Sequence, residues 1–501
     1  MKTIITFVSS KKVLTTFLLL FSALSFSQVV TDIFPTRVTN GSVITILGTG
    51  FYDGLEEYID SGYSGQSEAT FVSSTEMTIK ITVNQSSDYT RQLTVDGATI
   101  NSGVDNNIHY VGPTNKTLKT TSSFRIVEMY TTWDHDGDGE GFWKSSYFNS
   151  SDKSTWPNDR HDLLGFKMNY GSGDIIFSTG VDDELLEDNL VDEGIDITDP
   201  TKYISQEFKA YSSRGITGKP HSSNFLAMAD LIDGVENGRV LNSNVLATVY
   251  DVIIDGVNGL DLGTGITNFN KDAEIKFYSG NGNVGAIDTV PDLVITQMAQ
   301  PGGSGARDIY YYADVQGNVV GRPIKLRIDR SSQTRIYEWE LDLYRLDLSS
   351  SVTYDNAYPN QSSFGTREHR PFTMVAFKLQ DFGIDATNIE DVNNVNMAAG
   401  GSSDMAFMAY NKAAFEIKSP VITDAPVSRY SCRFPTTSNI TFEATGAVEG
   451  GYSTPANSDE TITYQWFENF APISAKSETI DAYTFASGLT EAQIENKIFN
   501  I

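Results

Sequence analysis

Cysteine is almost absent from this chain: Cys432 is the only one among 501 residues. No internal disulfide can form, so each domain must be held by a large apolar core or by metal. Cys432 itself reads as a small buried hydrophobe. Basic residues are also scarce, with 36 Lys and Arg against 64 Asp and Glu and a net charge of −28. Phosphate backbones need a basic footprint, which excludes nucleic acid as a partner. The acidity suits solubility and divalent cations. Long apolar runs are missing as well. None approaches the ~18 uninterrupted residues of a membrane helix, so no membrane span is expected.

Catalytic signatures are missing too. There is no Gly-x-Ser-x-Gly elbow and no His-Glu-x-x-His pair, and Pro220 breaks the phosphate-loop pattern after Gly218-Lys219. The five histidines, at 109, 135, 161, 221 and 369, are spread thinly. No enzymatic activity is expected, although two carboxylates at the right separation would serve a glycosidase.

The start of the chain sets the compartment. Lys2, Lys11 and Lys12 precede an apolar stretch from Val13 to Leu24, and Ser25-Phe26-Ser27 supplies small residues for cleavage before Gln28. Residues 1–27 therefore read as a signal peptide. Its removal takes three lysines and no acids, leaving an even more acidic chain. No cysteine adjoins the cleavage site, so a lipid anchor is not expected.

Strand patterns dominate the rest of the chain. Val43-Ile44-Thr45-Ile46, Met77 to Val83, Ile324 to Ile328 and Phe372 to Phe377 are short β-branched or aromatic runs. Gly, Asn, Asp and Ser fill the breaks between them. Only Phe225 to Ile232 and Glu491 to Ile498 show helical periodicity. The expected fold class is all-β, a series of sandwich domains. Residues 28–113 form a first unit, with a polar linker at 114–120. A central β-sandwich region at 118–420 comes next, with a division near Thr289-Val290-Pro291 if it holds two domains. A third unit spans 421–501.

The sharpest motif is Trp133-Asp134-His135-Asp136-Gly137-Asp138-Gly139-Glu140. Asp134, Asp136 and Asp138 occupy loop positions one, three and five, and Gly139 permits the tight bend at six. This is the front half of an EF-hand-like loop, in which Glu140 gives a backbone carbonyl to Ca²⁺. Position twelve is Ser145 rather than a bidentate Glu. The closing ligand must come from elsewhere, with Asp152, Asp159 and Asp162 as candidates. The expected role is structural: neutralising three mutually repelling carboxylates stiffens the junction after the first unit. His135 alternates away from the ion.

Other features read more plainly. The acids at 182, 183, 184, 187, 188, 192 and 193 lack metal-loop glycine spacing and read as a solvated face or loop. Asp288, Asp292, Asp308 and Asp314 are scattered around turns. Tyr310-Tyr311-Tyr312 puts rings on both faces of a strand; they read first as core and rim of a sandwich, with a solvent-facing ring that could stack on a sugar as the alternative. Trp143 and Trp156 flank the acidic loop and raise the same question.

Three stretches resemble known families. Pro35 with Gly41-Ser42-Val43-Ile44-Thr45-Ile46-Leu47-Gly48-Thr49-Gly50-Phe51 resembles an IPT/TIG domain, an Ig-like sandwich used as spacer or binding platform. The Tyr464-Gln465-Trp466 set resembles strand C of bacterial Ig-like domains, with Trp466 as core tryptophan. That resemblance implies that 421–501 is an incomplete domain, and the chain the N-terminal part of a longer protein or a truncated gene product. The central region resembles a segment of large flavobacterial surface proteins. The matching stretches are His161 to Phe166, Phe177 to Asp183, Gly256 to Gly265, Pro291 to Ala299 and Gly317-Asn318-Val319-Val320-Gly321. This resemblance implies a secreted, outer-surface adhesin or stalk of the gliding, type IX-exported kind. Its partners would be the export machinery and a glycan or other surface ligand. A glycan-binding module for polysaccharide capture and a carbohydrate-active enzyme stand as alternatives.

Overall fold

The computed structural model describes residues 28–500 apart from 56–58, 61–65, 84, 96–97, 135–140, 171–172, 212, 230–248, 250–255, 271–272, 274, 299–306, 329–334, 350, 355, 361, 401–402, 417–419, 425–439, 444, 449–466, 469–470, 473–481 and 486–498. Cys432, Trp466 and the Glu491 to Ile498 stretch therefore lie outside the described residues, as does the leader.

The first unit is a two-sheet sandwich. Its larger sheet runs Ser67–Ser73, Glu76–Ile81, Val43–Thr49, Val29–Phe34, Thr99–Ile100. The facing sheet runs Arg37–Val38, Asn107–Tyr110, Tyr89–Gln92. Val43–Thr49 shows why these residues make strand: its even-numbered side chains are buried and its odd ones are not. Ile44 and Ile46 enter the core beside Met77, Ile79 and Ile108. Gly48 is required here, because a Cβ would lie 2.1 Å from the Val29 carbonyl oxygen and 2.5 Å from the Phe51 ring. Gly50 then turns the chain with φ of +79° and delivers Phe51 into the core.

The central region stacks three sheets. Its middle layer is nine-stranded: eight strands run through Phe208–Ala210, Met408–Asn411, Leu293–Met298, Gly365–Phe377, Tyr337–Asp347, Phe225–Met228, Thr264–Phe269 and Ser403–Met405, and Tyr358–Pro359 pairs with Tyr337–Asp347 off this path. One face packs on a five-stranded sheet that includes Arg307–Ala313 and Val319–Arg327, through Ile295, Phe377, Tyr310 and Ile324. The other face packs on a sheet built around Ile126–Thr131 and Leu163–Asn169, through Val294, Trp339, Met129 and Phe166. Strands from before and after residue 290 are interleaved in the middle layer and share both cores. A cut near 290 would divide that sheet.

Three local expectations are corrected. Phe225–Met228 is a strand, not a helix, paired with both Thr264–Phe269 and Tyr337–Asp347. A strand buried on both faces has no polar side, so its run of apolar residues imitates a helical stripe. Secondly, the acidic run, expected as a solvated face or loop, is the solvated face of an α-helix, Asp183–Asp192, where no helix was expected. Asp182 caps it by accepting from the Leu185 N–H, Asp183 and Glu184 lie in its first turn, and Leu186 and Leu190 pack beneath it. Thirdly, the expected linker is structured. Thr114–Thr117 adds a parallel edge strand to Ile324–Arg327.

That edge strand is one part of a built junction. Asn318 Oδ1 accepts the backbone N–H groups of Thr36 at 2.9 Å and Arg37 at 3.1 Å. The Arg37 guanidinium donates to the carbonyls of Val319 and, at 2.8 Å, Gly321. Arg322 donates to Asp88 at 2.5 Å and to the Gly112 carbonyl at 3.1 Å. Val111 closes an apolar patch with Ile309, Tyr311, Ala313 and Val319. The Gly317 to Gly321 stretch is thus the socket that receives the first unit.

In the third unit the described pairings are Pro420–Asp424 with Thr445–Val448, Ile440–Glu443 with Ala482–Phe485, and Phe467–Glu468 with Ala471–Pro472 and Phe499–Asn500. Among the described residues no helix is long and apolar enough to cross a membrane.

Candidate metal centre

The acidic loop leaves the end of the Ile126–Thr131 strand and returns as Trp143–Lys144, which pairs back onto it. The motif is thus the connection of a hairpin, not of two helices. Two tryptophans fix its base. Trp133 meets Trp143 edge-on at 5.7 Å, and Trp143 meets Tyr337 edge-on at 5.3 Å. Both tryptophans are buried, as is Trp156. None is a solvent platform. The tyrosine triplet is likewise buried: Tyr310 and Tyr312 enter the central core and Tyr311 enters the junction patch. The strand that carries them lies in an outer sheet whose inner face meets the middle layer and whose outer face is covered at Tyr311 by Val111 at the junction.

Asp134 stands exposed just above the tryptophans. Asp136, Asp138, Glu140 and His135 lie outside the described residues. Among the described residues, no group of three or more His, Cys, Asp or Glu is arranged to hold a metal ion.

The three closing candidates separate clearly. Asp152 is exposed, and its Oδ1 accepts from the N–H and hydroxyl of Ser154 and caps the short helix Lys153–Thr155. Asp162 is tied to the base of the loop. Its carbonyl accepts the Thr132 N–H at 3.0 Å, and its own N–H donates to the Thr132 hydroxyl at 2.8 Å. Thr132 is two positions before Asp134. Asp159 lies half-buried on the same segment, with its carboxylate accepting the Arg160 N–H at 2.8 Å.

Sequence reasoning missed Asp261. It is buried, forms an isolated bridge with Asp162, and its carboxylate accepts the His161 N–H at 3.2 Å and the Gly263 N–H at 2.9 Å. The signal was present in the glycines around it. A Cβ on Gly256 would lie 1.8 Å from Asp162 Oδ1 and 3.0 Å from the Asp261 Cβ, so this backbone passes directly beneath both acids.

His161 holds the segment from below. It is wholly buried, and burial pushes its pKa down to about 4. The ring is therefore neutral at pH 7. Nδ1 lies 2.8 Å from the Asp159 carbonyl, which only accepts, so Nδ1 carries the proton. Nε2, 3.1 Å from the Tyr337 hydroxyl, then accepts from it. This pair orients the backbone at 159–163 and takes no proton at neutral pH.

Asp134, Asp159 and Asp162 offer hard oxygen donors and no nitrogen or sulfur, which suits Ca²⁺ over a transition metal. Asp162 is joined through Thr132 to the base of the loop, and Asp159 lies three residues before it on the same segment. No family model matches the chain, and no curated protein matches it.

Proposed function

We propose that this chain is a secreted, outer-surface stalk or adhesin segment, stiffened by Ca²⁺, that holds a cell to a surface or glycan. The observation that carries the reading is the socket at Asn318. Two backbone N–H groups of the first unit end on one side chain of the central region, with the Arg37 guanidinium on the carbonyls beside it. The chain then leaves the first unit as the Thr114–Thr117 strand, paired in parallel over four residues with Ile324–Arg327. Tension along that strand loads its hydrogen bonds in shear, all together rather than one by one. Such a junction suits a stalk better than a pair of independently tumbling domains. The Asp134 hairpin serves the same end, because an ion shared with Asp162 would cross-link two segments of the next sheet.

The test is retention under flow. Cells displaying the full chain should stay on glass or on a glycan-coated surface in millimolar Ca²⁺ and release when it is chelated. Cells displaying Asp136→Ala should behave as the chelated ones do. Equal retention by cells that display nothing would sink the proposal.

A further inference from the structure

Between the first unit and the central region lies a cleft of about 250 Å³. We propose that it binds one neutral sugar ring, which deepens the attachment reading above and rests on it. One wall is the outer face of the first unit's larger sheet. There Glu68 stands opposite Lys80 and Thr70 opposite Thr78, all four lining the cleft. The other wall carries Asn396 with Tyr311, Ile275 and Ala398. Gly41 closes one end, where a Cβ would lie 2.5 Å from the Ala398 Cβ.

The lining selects its ligand by three properties. Its charges are one carboxylate and one ammonium in register, so neither an anion nor a cation is favoured overall. Its hydrogen-bonding residues are Thr70, Thr78, Thr217 and Tyr311 with hydroxyls, one amide, one carboxylate and one ammonium, which match the mixed donors and acceptors of a polyol. Its apolar part is Ala398 with the small exposed edge of the otherwise buried Tyr311, on the opposite wall, where the C–H face of a pyranose would rest. The volume is below the roughly 300–1,000 Å³ of clefts that hold drug-sized molecules, which points to a single ring or chain end. Domain junctions are where such clefts are commonly found. A ring seated here touches both units and adds to the contacts at Asn318.

The experiment uses the full chain and the methyl glycosides of glucose, galactose and mannose, with calorimetry and saturation-transfer NMR. The expected result is saturable binding of at least one glycoside at millimolar concentration. Thr78→Trp, which fills the cleft from a strand position that accepts large residues, should weaken it at least tenfold. Glu68→Gln, at an exposed position, should weaken it several-fold without altering the thermal melt, which covers the case of a Trp variant that folds poorly. No saturable binding, or equal binding by both variants, overturns the assignment. Retention under flow without glycoside binding overturns the cleft alone. Glycoside binding without retention upholds the cleft and overturns the attachment reading.

Discussion

Asn318 Oδ1 lies 3.1 Å from the backbone nitrogen of Arg37, across 281 residues of sequence. Asn318 is itself held by Asp314, which accepts its backbone N–H at 2.8 Å and its side-chain amide at 3.0 Å. The carboxamide is thereby fixed before the first unit arrives. A preordered acceptor loses little conformational freedom on docking. Asn318→Ala removes this acceptor and strands two N–H groups. The docked arrangement should lose about 1–3 kcal/mol. Scanning calorimetry should then resolve the first unit as a separate, earlier transition. A single unshifted transition would show that the units are coupled by other means.

His161 makes stability depend on pH in one direction. Its pKa is about 4 when folded against an ordinary value of 6.5, so the unfolded chain takes up its proton first. The contribution is present in full above pH 6.5 and is lost as pH falls toward 4. At ~1.4 kcal/mol per pH unit it amounts to about 3 kcal/mol. Burial raises Asp292, Asp308 and Asp404 above the usual carboxylate range and gives them the opposite sign, but they are common to both proteins compared. Urea midpoints from pH 7.5 to 4.5 should therefore fall more steeply for the wild type than for His161→Gln. Parallel curves would contradict the burial of this ring.

Gly256 and Gly194 both adopt positive φ, +82° and +79°, yet they should respond differently to alanine. A Cβ at 194 meets nothing within 4 Å, so Gly194→Ala carries backbone strain alone, about 1 kcal/mol. A Cβ at 256 meets the Asp162 carboxylate at 1.8 Å and must push it away. Gly256→Ala should cost roughly 2–4 kcal/mol in urea denaturation. Equal costs at the two sites would mean that Asp162 is free to move.

How much of the fold was legible depends on how many faces each element buries. Val43–Thr49 buries one face, and its alternation announced both the strand and its core residues. Leu293–Met298 buries every residue, so no period marks it, and the three-sheet stack that encloses it left no trace in the pattern. Thr114–Thr117 is a polar edge strand whose only large demand is backbone pairing, which composition does not record. The helix Asp183–Asp192 hid behind its acids, although Asp182 before Leu185-Leu186 and Leu190 carried a cap and an apolar pair four residues apart. At the candidate centre, the spacing of Asp134, Asp136 and Asp138 was readable, whereas Asp261 lies 127 positions beyond Asp134 in sequence and is joined to the segment only through folding.

Calcium should raise the melting temperature through this centre and nowhere else. Sites of this kind outside cells bind at roughly 10⁻⁴ to 10⁻³ M. At about 10 mM Ca²⁺ an ion bound only by the folded state then stabilises by roughly 1.4–2.7 kcal/mol. Asp136→Ala and Asp138→Ala remove loop carboxylates and should abolish the rise. Asp162→Asn keeps the backbone hydrogen bonds to Thr132, which do not involve the carboxylate, and removes only the charge. If Asp162 closes the site, this variant should melt as the wild type does without calcium and respond weakly to its addition. Asp152→Asn is the comparison, because its side chain already caps Lys153–Thr155. Its calcium response should match the wild type. A full response in Asp162→Asn together with a lost response in Asp152→Asn would place the closing carboxylate on the short helix. No response in any of them would leave the hairpin held by Trp133 and Trp143 alone.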